Sequence, residues 1–216
     1  MLKVIIVDDE ALIRSGFELI LSAVDDIEVV ATCDGVQAVR VVTERRPDVV
    51  LLDIRMPGKD GLAVLRELQA LDCPPTVAVL TTFDADEYIA AALRLGAAGF
   101  LLKDTDPEQL PHIVRSLAAG GLVLSDKISP KVIAGYLGDR PDAEAVGSIR
   151  ELTDRETEVL RLLARGHSNG EIAAALYSSV GTVKDQVSSV LAKLGVKSRV
   201  EAAIIAQRAR LLDDPC

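Results

Sequence analysis

The sequence contains no tryptophan and few other aromatic residues, with three tyrosines and three phenylalanines among 216 residues. Because about half of the residues are apolar, any core must be built mainly from alanine, valine, leucine and isoleucine. No apolar run reaches the roughly 18 residues that a membrane-spanning helix needs, so we expect no such helix and no membrane partner. The short apolar segment after Met1 leads into acidic residues without a visible cleavage site, so we expect no signal peptide.

Cysteine and histidine are also scarce. The three cysteines, Cys33, Cys73 and Cys216, lie far apart and have neither metal-binding spacing nor the pattern of a disulfide framework. His112 and His167 lie in different predicted domains and cannot form a catalytic cluster. The simplest interpretation is a protein of the reducing cytoplasm.

The net charge of −9 is unevenly distributed along the chain. Residues 151–216 contain nine basic and nine acidic residues, so the whole excess of negative charge lies in residues 1–150. An acidic N-terminal part argues against its contact with nucleic acid. A neutral C-terminal part neither supports nor excludes such contact.

Short apolar runs alternate with amphipathic stretches over the first 120 residues. The runs are typical of buried parallel strands, and the alternation predicts an α/β, doubly wound, flavodoxin-like domain with a five-stranded parallel sheet at residues 1–121. Residues 122–147 read as a linker with one helix at about 129–137. Three capping boxes then predict a small all-α domain at residues 148–216: they are Thr153-x-x-Glu156, Ser168-x-x-Glu171 and Ser198-x-x-Glu201.

Polar residues follow four of the predicted strands. Asp8 and Asp9 follow the first strand, Asp53 the third, Thr81 the fourth and Lys103 the fifth. The carboxyl ends of parallel strands share one edge of a sheet, so these side chains should meet there. Three carboxylates together favour Mg²⁺, beside which an aspartate can accept a phosphoryl group. A single aspartate after a strand is often only part of a turn or a helix cap. Five polar residues at the ends of four strands favour a common site instead.

The sequence blocks around these residues resemble the receiver domains of two-component response regulators of the NarL/FixJ family. The blocks are Val7-Asp8-Asp9-Glu10, Leu52-Asp53-Ile54-Arg55-Met56-Pro57-Gly58, Leu80-Thr81-Thr82-Phe83 and Gly99-Phe100-Leu101-Leu102-Lys103. The resemblance implies that Asp53 is phosphorylated. It also implies Mg²⁺ ligands at Asp8, Asp9, Asp53 and the Arg55 backbone carbonyl, a switch pair at Thr81 and Phe100, and a phosphate-binding lysine at Lys103.

Residues 168–194 predict a helix-turn-helix, whose second helix would enter the major groove of DNA. Four basic residues against one acidic residue lie within 182–199, where a phosphate backbone would pass. Charge alone leaves open a dimerisation module instead. Thr182-Val183-Lys184 and Leu191-x-Lys193-Leu194-Gly195-Val196-x-Ser198-Arg199 resemble a LuxR-type DNA-binding domain, with Val180 and Gln186 departing from the family's common Glu and His. The resemblance implies DNA contacts at Thr182, Lys184, Asp185, Ser188, Lys193, Lys197 and Arg199, and pairing of two domains through the last helix.

The expected function is therefore that of a transcription factor. A sensor histidine kinase would phosphorylate Asp53, and a homodimer would then bind double-stranded DNA at a specific sequence. Phosphohydrolases that use an aspartate nucleophile commonly carry a second aspartate two residues later; Arg55 occupies that position, so we do not expect an enzyme. An orphan regulator that binds DNA without phosphorylation is the alternative.

Overall fold

A computed structural model describes residues 1–81, 86–121, 123–124 and 147–212. In its N-terminal part, strands alternate with helices and every paired strand is parallel to its neighbour. The elements are β1 (Leu2–Val7), α1 (Ala11–Leu21), β2 (Ile27–Cys33), α2 (Ala38–Arg45), β3 (Val49–Asp53), α3 (Gly61–Gln69), β4 (Thr76–Thr81), α4 (Asp86–Arg94), β5 (Gly99–Leu102), α5 (Leu110–Ala118) and β6 (Val123–Leu124). The predicted doubly wound, flavodoxin-like fold is confirmed.

The strand order, β2-β1-β3-β4-β5-β6, places β1 and β3 side by side at the centre of the sheet. All five residues of β3 are buried, because helices cover both faces of the sheet. One apolar cluster fills the face that includes Val50, Val79 and Phe100, and a second fills the face that includes Leu51, Leu80 and Leu101. The core therefore holds the two aspartate-bearing strand ends in a fixed register.

The sheet has one strand more than the five that the sequence predicts. The two-residue strand β6 lies against β5, with Val123 opposite Gly99. A Cβ at Gly99 would come within 2.8 Å of the Val123 carbonyl oxygen, so glycine permits this close approach. Two residues carry too little periodicity to reveal a strand. The linker helix predicted at about 129–137 lies outside the described residues.

Within residues 150–212, the helices are α6 (Asp154–Ala164), α7 (Asn169–Ala175), α8 (Val180–Leu194) and α9 (Arg199–Arg208). All three predicted capping boxes are present, at the starts of α6, α7 and α9. Gly195 ends α8 in the left-handed conformation, as the sequence predicts. Helices α7 and α8 form the predicted helix-turn-helix around a separate apolar core. Among the described residues, no helix is both long and apolar enough to cross a bilayer.

Candidate phosphorylation site and DNA-binding surface

Asp8, Asp9 and Asp53 form a cluster, called here the acidic cluster, at the carboxyl ends of β1 and β3. One carboxylate oxygen from each lies within 4.8 Å of the others. The parallel pairing of Val7 with Leu52 produces this proximity, because the next residues of the two strands are Asp8 and Asp53. Asp8 and Asp53 are buried, whereas Asp9 is exposed. The cluster is thus a partly open set of oxygen donors, the ligand type that Mg²⁺ prefers.

Backbone amides fix the orientation of the two buried carboxylates. Oδ1 of Asp8 accepts a hydrogen bond from the Glu10 amide at 2.9 Å, and Oδ1 of Asp53 accepts one from the Arg55 amide at 3.2 Å. The Oδ2 atom of Asp53 therefore faces Lys103, whose Nζ lies 3.0 Å away. Oδ2 of Asp8 lies 2.9 Å from the same Nζ but makes no well-aligned hydrogen bond within the described residues.

Lys103 supplies the positive charge at the centre of the site. Besides the two buried aspartates, its Nζ lies 3.2 Å from Oε1 of Glu10, an exposed residue that the sequence reasoning did not assign to the site. Burial by itself would lower the pKa of Lys103, but its contacts with Asp8 and Asp53 raise the pKa above its ordinary value. Lys103 is accordingly a fixed cation at neutral pH.

Burial raises the pKa of Asp53, despite the hydrogen bonds from Lys103 and the Arg55 amide that favour its ionised form. The nearby charge of Asp8 raises it further. The positive charge of Lys103 therefore does not fully compensate for the burial of the Asp53 carboxylate. A divalent cation among the three aspartates would supply such charge, so the donor set fits the expected Mg²⁺.

The predicted switch residues lie on the two strands that follow β3 in the sheet. Thr81 is buried at the end of β4, and its carbonyl accepts a hydrogen bond from the Lys103 amide at 3.0 Å. Phe100 pairs with Val79 in the sheet and is fully buried in the core. Its ring is therefore already inside the domain in this conformation.

Arg55 makes a contact that the sequence did not predict. Its guanidinium carbon lies 5.3 Å from the centroid of the Tyr88 ring on α4. This cation–π geometry joins the loop after β3 to α4. No spacing between Arg55 and Tyr88 along the chain signals the contact, because only the folding of the sheet brings the two together.

The first three turns of α8 carry four of the seven predicted DNA-contacting residues on the surface. Ser179 caps the helix and hydrogen-bonds the Thr182 hydroxyl at 2.9 Å. The Ser188 hydroxyl donates to the Lys184 carbonyl at 3.0 Å, which leaves its oxygen free to accept. Thr182, Lys184, Asp185 and Ser188 are all exposed.

The remaining three predicted contacts have different surroundings. Lys197 is exposed. Lys193 is also exposed, but its Nζ lies 2.6 Å from Oε2 of Glu156 on α6. Lys193, the Thr153 amide and the Ser189 hydroxyl, which all donate to Glu156, lower its pKa to about 2. Arg199 is buried, so the structure does not place it on the surface with the other six.

Comparison with known proteins identifies both parts of the chain. Residues 4–115 match the family model described as response regulator receiver domain, and residues 150–206 match the model described as bacterial regulatory proteins, luxR family. The chain belongs to the response regulators that join a receiver domain to a LuxR-type DNA-binding domain. It is thus a transcription regulator of the two-component class rather than an enzyme.

Individual relatives support this assignment along the whole chain. Oxygen regulatory protein NreC of Staphylococcus aureus is 36% identical over 98% of this chain and 100% of its own. The response regulator ChrA of a heme-sensing two-component system is 34% identical, with 97% and 98% of the two chains covered and a TM-score of 0.53. RcsB, solved as two dimers bound to two parallel DNAs, is 26% identical, with coverage of 94% and 96% and a TM-score of 0.56.

Proposed function

We propose that Asp53 is the phosphoacceptor of this response regulator and that its phosphorylation promotes dimerisation and sequence-specific DNA binding. The observation that carries the proposal is the position of Asp53. It is buried at the end of a central strand, its carboxylate lies within 4.8 Å of those of Asp8 and Asp9, and Lys103 Nζ lies 3.0 Å away. The donor would be a cognate sensor histidine kinase, and the protein would act in the cytoplasm.

Phosphoryl transfer to Asp53 forms one bond and breaks another. A carboxylate oxygen of Asp53 attacks phosphorus while the bond between phosphorus and the donor's nitrogen breaks, and the donor leaves with the electron pair. Mg²⁺, when bound, would neutralise charge on the phosphoryl oxygens. Asp8, Asp9, Asp53 and the Arg55 carbonyl are the residues that would hold it. Lys103 would pair with a phosphoryl oxygen, and the Thr81 hydroxyl would donate to another.

The response would start from Thr81 and the packing around Phe100. A hydrogen bond from the Thr81 hydroxyl to the phosphoryl group would draw the end of β4 toward Asp53. Because Phe100 is buried beside β4, its neighbours on α4 would repack. Only a few kcal/mol of bias between two existing conformations is needed for such a switch.

The DNA-binding part of the proposal concerns the N-terminal half of α8. Lys184, Asp185 and Ser188 would face base edges, with Asp185 able to accept a hydrogen bond from cytosine N4. Thr182, Lys193, Lys197 and Arg199 would contact phosphates. Dimerisation would place two such helices at adjacent half-sites, and the RcsB dimers bound to DNA support this arrangement.

The phosphoacceptor is tested by intact-protein mass spectrometry. The chain is incubated with Mg²⁺ and a small phosphodonor, beside Asp53→Asn and the control Asp72→Asn, which removes an exposed aspartate between α3 and β4, at the edge of the sheet opposite the acidic cluster. We expect one added phosphoryl group on the wild-type protein and on Asp72→Asn, and none on Asp53→Asn. An equal mass shift in Asp53→Asn, or no shift in any of the three, would contradict the proposal and favour a regulator that acts without phosphorylation.

A further inference from the structure

Arg14, the fourth residue of α1, reaches back toward the end of β1. One of its guanidinium nitrogens, Nη1, donates to the Asp8 carbonyl at 2.6 Å and to the Asp9 carbonyl at 3.0 Å. These carbonyls precede the first residue of α1, Ala11, and take no part in the hydrogen bonds of the helix. A cation so close to a helix N-terminus faces the positive end of the helix dipole, which disfavours it. The two hydrogen bonds to carbonyls, rather than helix propensity, therefore account for arginine at this position.

The peptide group between Asp9 and Glu10 is held on both of its sides. Its carbonyl accepts the hydrogen bond from Arg14, and its amide donates to Oδ1 of Asp8 at 2.9 Å. Because a trans peptide is planar, with its C=O and N–H pointing in opposite directions, both hydrogen bonds fix the same orientation of this plane. The Asp8 amide also donates to the Cys33 carbonyl at 3.1 Å, which anchors the start of the loop to β2. Rotation of the peptide away from Arg14 would also break the contact with Asp8.

The orientation of this peptide decides which oxygen of Asp8 is available. The Glu10 amide occupies Oδ1, so Oδ2 is the atom that lies 2.9 Å from Nζ of Lys103. The Asp8 side chain is fully buried, and its Oδ2 has no hydrogen-bond partner among the residues that the structure describes. A buried carboxylate oxygen in this environment favours a further cation. Arg14 also fixes the backbone from which the exposed Asp9 side chain projects.

The charge and the hydrogen bonds of Arg14 have opposite effects on a cation in the acidic cluster. The positive charge repels Mg²⁺ and by itself would weaken its binding, but Arg14 is only half-buried, so water and salt screen this repulsion. The hydrogen bonds hold the loop that carries two of the three carboxylates, and Mg²⁺ requires nearly ideal octahedral geometry. Groups that orient metal ligands commonly change metal affinity by about 10–100-fold, so the hydrogen bonds should outweigh the charge.

We propose that Arg14 is a positioning residue of the acidic cluster, which holds the loop between β1 and α1 so that Asp8 and Asp9 are oriented to bind a divalent cation. This role rests on the proposed function, because it takes the acidic cluster as the Mg²⁺ site. Its test uses metal ions without phosphodonor. A wild-type protein that does not bind Mg²⁺ would overturn the metal site itself, whereas variants of Arg14 that bind as the wild-type protein does would overturn only the positioning role.

Amide NMR spectra of the full chain, recorded during titration with Mg²⁺, measure the effect and show whether each variant is folded. Arg14→Met removes both hydrogen bonds and the charge, whereas Arg14→Lys keeps the charge on a shorter side chain. Arg45→Met is the control, because it removes an exposed arginine at the end of α2, directly before β3 and thus at the opposite edge of the sheet. Arg14→Met should raise the Kd for Mg²⁺ by at least about tenfold. Arg14→Lys should raise it by a smaller factor, and Arg45→Met should leave it unchanged.

A parallel titration with Ca²⁺ separates positioning from a general loss of stability. Ca²⁺ accepts a flexible coordination geometry, whereas Mg²⁺ does not. Arg14→Met should therefore weaken Mg²⁺ binding several-fold more than Ca²⁺ binding, whereas general loosening of the loop would weaken both equally. Should Arg14→Met fail to fold, Arg14→Lys must show the same preferential loss of Mg²⁺ affinity. A Kd for Mg²⁺ that equals that of Arg45→Met, tighter binding than in the wild-type protein, or equal weakening of the two cations would overturn the proposal.

Discussion

Replacing Lys103 with methionine removes the positive charge that is closest to the acidic cluster. In the native protein its Nζ lies 2.9 Å from Oδ2 of Asp8 and 3.0 Å from Oδ2 of Asp53. Methionine has a similar length but leaves both buried carboxylates without this partner. Breaking a buried ion pair on one side costs about 3–5 kcal/mol, so a loss of this order in the free energy of unfolding is expected when no divalent cation is present.

The loss of stability in Lys103→Met should depend on pH, because protonation of Asp53 removes the charge that the substitution leaves without a partner. Its pKa is already raised above the ordinary value of 3.8, and loss of Lys103 raises it further. Over the pH range between the two values, the native variant binds a proton that the unfolded chain has released, so stability falls as pH rises. The slope is at most about 1.4 kcal/mol per pH unit, so the variant should lose more stability at pH 8 than at pH 4.5, which lies just above the ordinary value.

Urea denaturation in the presence of a chelator, at both pH values, measures this effect. The control is Lys59→Met, which removes a half-buried lysine of the same domain whose Nζ lies 2.8 Å from the largely exposed Glu67 carboxylate, and it should cost about 0–1 kcal/mol. Added Mg²⁺ should recover stability in Lys103→Met, because a cation that binds only the native state stabilises it. The reasoning is refuted if Lys103→Met costs no more than Lys59→Met at pH 8, or if its cost is equal at both pH values.

Three further predictions concern the DNA-binding domain. Thr153→Ala removes the first residue of a capping box and should lower the free energy of unfolding by about 1 kcal/mol. The control is Glu158→Ala, which removes an exposed side chain of the same helix and should change the free energy of unfolding less; urea denaturation distinguishes the two. As pH falls from 4.5 toward about 2, Glu156 becomes protonated, and the free energy of unfolding should fall because the native contacts of Glu156 favour its ionised form. In Glu156→Gln the free energy of unfolding should vary less over this pH range. Lys197→Ala should reduce the slope of log DNA affinity against log salt concentration by about 0.9. Lys193→Ala should reduce it by less, because Lys193 already pairs with Glu156. Equal slopes for the two variants would contradict this prediction.

The acidic cluster was predictable because topology alone brings its members together. Each aspartate lies at the end of a buried strand or within two residues after it, and parallel strands end at one edge of the sheet. The same reasoning placed Lys103 and Thr81 at that edge. The capping boxes were predictable for a similar reason, since both partners lie within four residues of each other.

Contacts between elements were not predictable from local pattern. Glu10 approaches Lys103, and Arg55 stacks on Tyr88, because distant segments fold against the same strand ends. Glu156 was recognised as half of a capping box, yet its pairing with Lys193 depends on the packing of α6 against α8. Such contacts follow from tertiary packing, which hydrophobic periodicity does not encode.

The environment of Arg199 differs most from the sequence-based expectation. Its place in a motif rich in basic residues indicates a phosphate contact, whereas in the structure it is buried against Gly120 between the two domains. Sequence reasoning treats each domain separately and so does not detect a surface that one domain covers on the other.

The most direct test of the central proposal measures how phosphorylation of Asp53 changes DNA binding. The affinity of the full chain for duplexes selected from a random-sequence pool is measured with and without Mg²⁺ and a small phosphodonor, beside Asp53→Asn. We expect the phosphodonor to tighten binding by at least about tenfold, within the coupling typical of allosteric proteins, and to leave Asp53→Asn unchanged. Equal DNA affinity of the wild-type protein with and without the phosphodonor, when mass spectrometry shows complete phosphorylation, would contradict the proposal.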